Sequence, residues 1–119
     1  KLIDEIGSPQ IKMVLDTYHF GFDTDGSSSD ILELIPSIVP HLGFVQLADG
    51  KTPPQSDQNR CRLGDGIVHL GPIIDALMSA GYDGYYDVEL HGEAIEHIDY
   101  KELLNHSKMA FDELIGTTV

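Results

Sequence analysis

The stretch Ile11-Lys12-Met13-Val14-Leu15-Asp16 decides the fold that this sequence predicts. It is a nearly continuous apolar run that comes after the turn-forming residues 7–9, which is typical of a short strand buried on both faces. A loop rich in glycine and serine follows, and Ser29 or Asp30 can then cap an amphipathic helix. The first unit of the chain is therefore strand, loop and helix.

The same order recurs twice downstream. Residues 44–48 and 85–90 are the second and third predicted strands, each introduced by a glycine. The helix after the second strand is predicted to have Gly71 as its cap and Pro72 in its first turn, and the last helix covers about residues 100–114. Repeated units of this kind predict right-handed crossovers and a parallel sheet.

The spacing of the strands favours a barrel. Asp16, Gln46 and Glu89 lie at the strand ends about 30 and about 43 residues apart, against about 30 residues per unit in a (β/α)₈ TIM barrel. We therefore predict one partial domain over residues 1–119, the C-terminal three to four units of a parallel TIM barrel. The chain begins without Met on what reads as a helix end, which suggests a fragment. A small doubly wound sheet stays open as an alternative, although no Gly-x-Gly-x-x-Gly motif opens a helix.

Charge and composition exclude several classes of partner. The net charge is −13, from 20 acidic against 7 basic residues, so the surface repels phosphate backbones and we expect no nucleic-acid partner. No apolar run is long enough to span a membrane, and no signal-peptide pattern opens the chain. Cys61 is alone, which favours a reducing, cytoplasmic location. A half-barrel would expose strand edges, so we also expect a homo-oligomer.

Each predicted strand delivers an oxygen-bearing side chain near its C-terminal end, namely Asp16, Gln46 and Glu89. Ligands bind at this end of parallel α/β folds. A carboxylate that ends a buried apolar run is costly to desolvate, so it needs a cation, a hydrogen-bond donor or a catalytic task. The alternative is that these residues enter loops and are satisfied by backbone N–H groups.

Four segments occur in an order that is similar to a known family. They are Leu-Asp-Thr-Tyr-His at 15–19, Gly-Phe-Val-Gln-Leu-Ala-Asp at 43–49, Asn-Arg-Cys-Arg-Leu-Gly-Asp-Gly at 59–66 and Gly-Tyr-Asp-Gly-Tyr-Tyr-Asp-Val-Glu at 81–89. The set resembles the C-terminal half of the xylose-isomerase-like sugar phosphate isomerases and epimerases, which include ketose 3-epimerases and hydroxypyruvate isomerase. The resemblance extends from about residue 11 to the last helix.

The resemblance implies a divalent metal held by a Glu, an Asp, a His and a Glu from successive strands. Asp16 and Glu89 match the Asp and the last Glu, and Glu89 is also the expected acid/base. Gln46 stands where the family usually has His. The hydroxypyruvate-isomerase-like branch resembles this chain in having Val-Gln at this position. An amide oxygen favours Mg²⁺ or Mn²⁺, with Zn²⁺ and Co²⁺ as alternatives. The first Glu would lie upstream of this chain, so the fragment alone is expected to be inactive.

The same resemblance assigns residues to the substrate. His19 and Arg60 match groups that contact substrate oxygens, although Leu63 replaces the Pro that the family has after the Arg. Arg62 is a substitute for Arg60 in this role. The loop over residues 49–66 is long enough to cover a substrate, and His91 is a weaker candidate to face the site. Cys61 is predicted to be a small loop residue rather than a nucleophile.

The resulting hypothesis is a metal-dependent isomerase or epimerase of a small sugar, sugar phosphate or hydroxy-keto acid. The family mechanism is α-proton abstraction through a metal-stabilised enediolate. A sugar dehydratase on the same fold is an alternative, because β-elimination also begins with loss of an α-proton. Phosphodiester cleavage fits the charge of the chain poorly. A non-catalytic half-barrel that serves as an assembly unit is the alternative outside enzymology.

Overall fold

A computed structural model describes residues 1–20, 29–51 and 60–116, apart from the side chain of Ser29. Strands and helices alternate along most of it. The helices are α1 (Leu2–Ile6), α2 (Thr17–Phe20), α3 (Ser29–Ile38), α4 (Leu70–Ser79) and α5 (Tyr100–Gly116), with a 3₁₀ turn at Val39–His41. The strands are β1 (Met13–Asp16), β2 (Leu42–Leu47), β3 (Asp49–Gly50), β4 (Arg60–Cys61) and β5 (Tyr86–Val88).

The main sheet has the order β1-β2-β5, and both strand pairs are parallel. Asp16 lies opposite Gln46, and Gln46 lies opposite Asp87. The backbone N–H of Glu89 donates to the carbonyl oxygen of Leu47 at 3.0 Å, which continues the pairing just past the end of β5. The predicted parallel sheet is confirmed, and its C-terminal edge carries the residues singled out from the sequence.

The core lies between one face of this sheet and helices α3 and α4. Because side chains alternate along a strand, Leu15, Val45 and Leu47 all point to this face, and none is more than 3% exposed. The apolar stripes of the two helices cover them, through Ile31, Ile35, Ile73, Ile74 and Leu77. Within the described ranges, no helix is both long and apolar enough to cross a lipid bilayer.

The strand and helix ends differ from the expected ones for reasons of pairing. The first strand begins at Met13 rather than residue 11, because Met13 pairs with Leu42 at the start of β2. The third covers only Tyr86–Val88, the residues that face β2. The predicted cap at Gly71 is wrong, since α4 begins at Leu70 and its N-cap is His69.

Thr17 joins the ends of β1 and β2 beyond the regular ladder. Its hydroxyl donates to the carbonyl oxygen of Ala48 at 2.7 Å and accepts from the N–H of Ala48 at 2.8 Å. Both residues are buried, with Thr17 at 1% exposure and Ala48 at 0%. The side chain therefore satisfies two buried backbone groups where the strands diverge, and it holds the C-terminal edge of the sheet together.

Candidate active site

Asp16 ends β1 with its carboxylate buried and fully engaged. Only 7% of the residue is exposed. Oδ1 accepts the backbone N–H of Tyr18 at 2.8 Å. The guanidinium of Arg60 faces both oxygens, with Nη2 at 3.2 Å from Oδ2 and Nη1 at 3.5 Å from Oδ1. This forked arrangement is the geometry in which an arginine neutralises a carboxylate most effectively.

Arg60 connects two strands that are not neighbours in the sheet. Its Nη2 lies 4.0 Å from Oε2 of Glu89 as well as 3.2 Å from Oδ2 of Asp16. The side chain is 3% exposed, and its guanidinium carbon lies 4.2 Å from the ring centroid of Tyr18, a cation–π distance. Its Nε has no hydrogen-bond partner within the described part of the chain. The two carboxylates therefore approach one point from β1 and β5.

Gln46 and Glu89 occupy the same face of the sheet as Asp16. Gln46 is the direct partner of Asp16 across the parallel pair, and Glu89 follows two residues after Asp87, the partner of Gln46. The period-2 alternation of strands gives all of them one orientation. Glu89 is more open than Asp16, with 33% of its side chain exposed against 10%, and its Oε1 lies 3.8 Å from Nε2 of His91.

His19 and Arg62 lie in different surroundings. His19 Nε2 is 3.8 Å from Oδ2 of Asp16, and half of the side chain is exposed, so it borders the site. Arg62 instead pairs with Asp65 at 2.9 Å and approaches Glu102 on α5 at 3.9 Å. The contacts thus gather Arg60, rather than Arg62, with Asp16 and Glu89. Residues 52–59, the middle of the loop expected to cover the substrate, are outside the described ranges.

The donor set fits a hard divalent cation in part. Two carboxylates flank one cationic nitrogen, and an amide side chain lies on the same face, so the three predicted ligands can each offer an oxygen. The imidazoles of His19 and His91 border these carboxylates at 3.8 Å. Oxygen ligands suit Mg²⁺ and Mn²⁺. Across residues 1–20, 29–51 and 60–116, no three His, Cys, Asp or Glu side chains come close enough to hold a metal by themselves.

Asp49 is a residue of this region that the sequence reasoning did not single out. Its carboxylate is 1% exposed and accepts four backbone N–H groups, from Gly50, Gly64, Gly66 and Val68. The available signal is weak: an acidic residue comes directly after a buried strand and before a glycine. The partners lie up to 19 residues away along the chain, and no local pattern reveals them.

Cys61 follows Arg60 and is buried at 3% exposure. Burial, together with the negative charges of Asp49 and Asp65, raises the pKa of the Cys61 thiol to about 11. The thiol is therefore protonated at neutral pH, and a buried protonated thiol is a poor nucleophile. These properties agree with the prediction that Cys61 is not a nucleophile, but the residue lies in the short strand β4 rather than in a loop.

Comparison with known proteins adds to this geometry. Residues 1–110 match a family model described as the xylose isomerase-like TIM barrel. The chain belongs to the xylose isomerase-like TIM barrel family. The predicted resemblance and the predicted barrel fold are thereby confirmed.

Relatives within the xylose isomerase-like TIM barrel family include named isomerases. The chain is 23% identical to inosose isomerase of Halalkalibacterium halodurans, over 98% of this chain and 41% of that protein. It is 29% identical to a Streptomyces coelicolor protein provisionally named hydroxypyruvate isomerase, over 70% of this chain and 26% of that one. It thus spans less than half the length of these relatives.

Among solved structures, the IolI protein with a bound zinc atom superposes with a TM-score of 0.81 at 18% identity. The match covers 99% of this chain and 42% of the IolI chain. At this identity the superposition shows the barrel fold of the family alone. The described sheet is accordingly the part of a xylose isomerase-like barrel built from β1, β2 and β5.

Proposed function

We propose that the complete protein carrying this chain is a metal-dependent isomerase or epimerase of a small sugar or hydroxy-keto acid. One observation carries the proposal: Asp16 and Glu89, from two non-adjacent strands, both face Arg60 Nη2, at 3.2 Å and 4.0 Å. Converging carboxylates at the C-terminal edge of parallel strands are typical of barrel active sites. Membership of a family with named isomerases supports the same reaction class.

Asp16, Gln46 and Glu89 are the residues of this chain that would hold the metal, and the Arg60 guanidinium, which lies between the two carboxylates, would have to move aside from their facing oxygens when it binds. A bound divalent cation would supply positive charge against the negative charge that develops when a carbon next to a carbonyl loses its proton. The neutral amide of Gln46, in place of a histidine, favours Mg²⁺ or Mn²⁺. Zinc, which the IolI structure contains, is the principal competitor. Substitution Gln46→His is expected to shift the metal preference of the site toward Zn²⁺.

Glu89 is the proposed base. Its carboxylate is partly open to solvent and is the least restrained acidic group of the site, since Asp16 is held by the Arg60 fork and by Tyr18 N–H. It would take the α-proton of the substrate and return it, to the neighbouring carbon for isomerisation. Epimerisation needs return to the opposite face of the same carbon. The second carboxylate that this requires is expected on the part of the barrel outside this chain.

Arg60 and His19 would orient the substrate. Arg60 is rigid, because it is buried and stacks over Tyr18, and its Nε donor has no partner within the described residues. Because Nη2 lies between the two carboxylates, a substrate hydroxyl or phosphate oxygen bound beside it would place the reacting carbon next to Glu89. His19, on the open border of the site, would contact a more distal oxygen. Arg62 is a secondary candidate, because its guanidinium is already paired with Asp65.

The self-association expected from open strand edges, and the absence of a nucleic-acid partner, stay predictions. Sedimentation of this 119-residue chain at micromolar concentration tests the first of them. A stable, well-folded monomer would contradict it.

The test of function uses the complete protein with ketoses, aldoses and hydroxypyruvate in D₂O. We expect deuterium at a substrate carbon next to the carbonyl, with Mg²⁺ or Mn²⁺ and not after treatment with EDTA. Isomer or epimer formation without loss of water supports the proposal. Loss of water in the product would instead identify the dehydratase alternative. Full activity in EDTA would remove the metal from the mechanism.

A further inference from the structure

The buried carboxylate of Asp49 organises the loop that begins with Arg60. Oδ1 accepts from Gly50 N–H at 2.8 Å and Val68 N–H at 3.1 Å. Oδ2 accepts from Gly64 N–H at 2.9 Å and Gly66 N–H at 3.1 Å. An ionised carboxylate has about four acceptor sites, so these four main-chain donors satisfy the buried anion and tie it to the loop.

The loop over residues 60–68 is closed onto Asp49 and Gly50. Asp49 pairs with Cys61 and Gly50 with Arg60 in the antiparallel β3–β4 ladder. The N–H of Ile67 donates to the carbonyl oxygen of Gly50 at 2.8 Å. The loop approaches Asp49 so closely that position 66 requires glycine, because a Cβ there would collide with the Asp49 carboxylate and the Gly50 carbonyl.

We propose that Asp49 is a positioning residue that acts through Arg60. By fixing the loop at three points, through the N–H groups of Gly64, Gly66 and Val68, it holds the Arg60 backbone in register with β3 and thereby keeps the guanidinium between Asp16 and Glu89. This inference rests on the proposed function, in which Arg60 binds substrate. Asparagine has nearly the same shape as aspartate, but it presents an NH₂ group to two of the four N–H donors and cannot hold them. Asp49→Asn therefore breaks two of the four bonds, at least one of them to the loop, while leaving the volume of the side chain almost unchanged.

A double-mutant cycle on kcat/KM tests the coupling in the complete protein. Asp49→Asn is expected to lower kcat/KM by about tenfold or more with Arg60 present, and by less than about twofold in an Arg60→Lys background. Lysine keeps the positive charge but lacks the forked guanidinium. The position of the loop should therefore matter less for substrate binding in this background. The control is Tyr82→Phe, which removes the hydrogen bond to Tyr85 O before β5 and none of the bonds to Asp49. It should affect both backgrounds equally. An equal loss from Asp49→Asn in both backgrounds would overturn the proposal.

A milder variant applies if Asp49→Asn fails to fold. Gly64 has φ of 86°, and a Cβ there meets nothing within 4 Å, so Gly64→Ala adds only backbone strain. This substitution perturbs the same loop but leaves the Asp49 side chain itself unaltered. Its loss in kcat/KM should likewise shrink in the Arg60→Lys background. An undiminished loss would contradict the proposal in the same way.

A second measurement needs no turnover. The coupling between Asp16 and Arg60 can be taken from urea unfolding midpoints of Asp16→Asn, Arg60→Lys and the pair, with and without Asp49→Asn. We expect the coupling to vanish when Asp49→Asn is present; coupling that persists would refute positioning by Asp49. If the coupling vanishes but the parent protein converts no sugar or keto acid, the positioning role stands and the proposed function fails.

Discussion

The two faces of the same three strands differ in what they bury. On the face toward α3 and α4, Leu15, Val45 and Leu47 are apolar and at most 3% exposed. On the opposite face, Val14 is 43% exposed, and Gln46 is only half-buried. The charged residues collect at the C-terminal edge of that second face. The difference teaches that one face supplies the free energy of folding, whereas the other holds costly polar groups that folding alone does not require.

Substitution of Glu89 gives the largest expected effect. Glu89→Gln in the complete protein removes the proton-transfer group, so kcat is expected to fall by about 10³-fold or more. The thermal midpoint should change little, because the side chain is one-third exposed and its ion pairs with described residues are long, at 3.8 and 4.0 Å. Enzyme assays and thermal melts measure both quantities. The exposed Glu96→Gln is the matched control and should retain activity. Near-normal kcat in Glu89→Gln would mean that another residue carries the proton.

Truncation of a side chain on the apolar face should lower stability and leave kcat largely unchanged, which is the reverse of the effect expected for Glu89→Gln. Leu47→Ala empties a position that is 0% exposed and should lower the free energy of unfolding by about 3 kcal/mol. The folded fraction should keep most of its kcat. Leu34→Ala, at 54% exposure on α3, is the matched control and should cost well under 1 kcal/mol. Urea unfolding measures both. Equal effects of the two truncations would contradict the assignment of the core to this face.

Thr17 lies where the two faces meet, and its loss should have an intermediate effect. Thr17→Val keeps the shape but leaves the N–H and carbonyl of Ala48 buried without the hydroxyl, at a cost of about 2 kcal/mol. Ser37→Ala removes an exposed hydroxyl bonded to Leu34 O and should cost a few tenths of that. The free energies of unfolding of the two variants, measured by chemical denaturation, distinguish these costs. A neutral Thr17→Val would show that water replaces the hydroxyl.

The smallest effect concerns pH. The pKa of Cys61 is raised from 9.0 to about 11 in the folded chain, so the folded state retains a proton that the unfolded state loses. Stability is therefore lost as pH rises from 9 toward 11, by about 1 kcal/mol at pH 10. Cys61→Ala should flatten the decline in unfolding free energy between pH 8 and 10. An identical decline in both proteins would show that the thiol does not contribute.

Much of the fold could be read from the sequence. Apolar runs that end in a polar residue, such as residues 11–16, predict strands of a parallel sheet with ligands at one edge. The predicted burial of this strand on both faces is wrong for this chain, because Val14 on the second face is 43% exposed. The exact ends could not be predicted, because Met13 and Tyr86 mark where pairing with β2 begins, which is a property of two strands together. The same reason explains why the short β3–β4 pair was missed.

The site was predictable only in outline. Asp16, Gln46 and Glu89 were found from their positions at strand ends, but their roles came from the family resemblance. The choice between Arg60 and Arg62 depends on a contact with Asp16, 44 residues away, which the spacing of two arginines does not reveal. Asp49 was missed because its partners are backbone N–H groups, which leave no signature in side-chain chemistry.

The central claim is that Asp16, Gln46 and Glu89 share one metal ion. Titration of the complete protein with Mn²⁺, followed by calorimetry or by electron paramagnetic resonance, tests it most directly. One ion is expected to bind per chain, and Asp16→Asn and Glu89→Gln should each weaken its affinity by about 100-fold. Unchanged Mn²⁺ binding in both variants would contradict the claim.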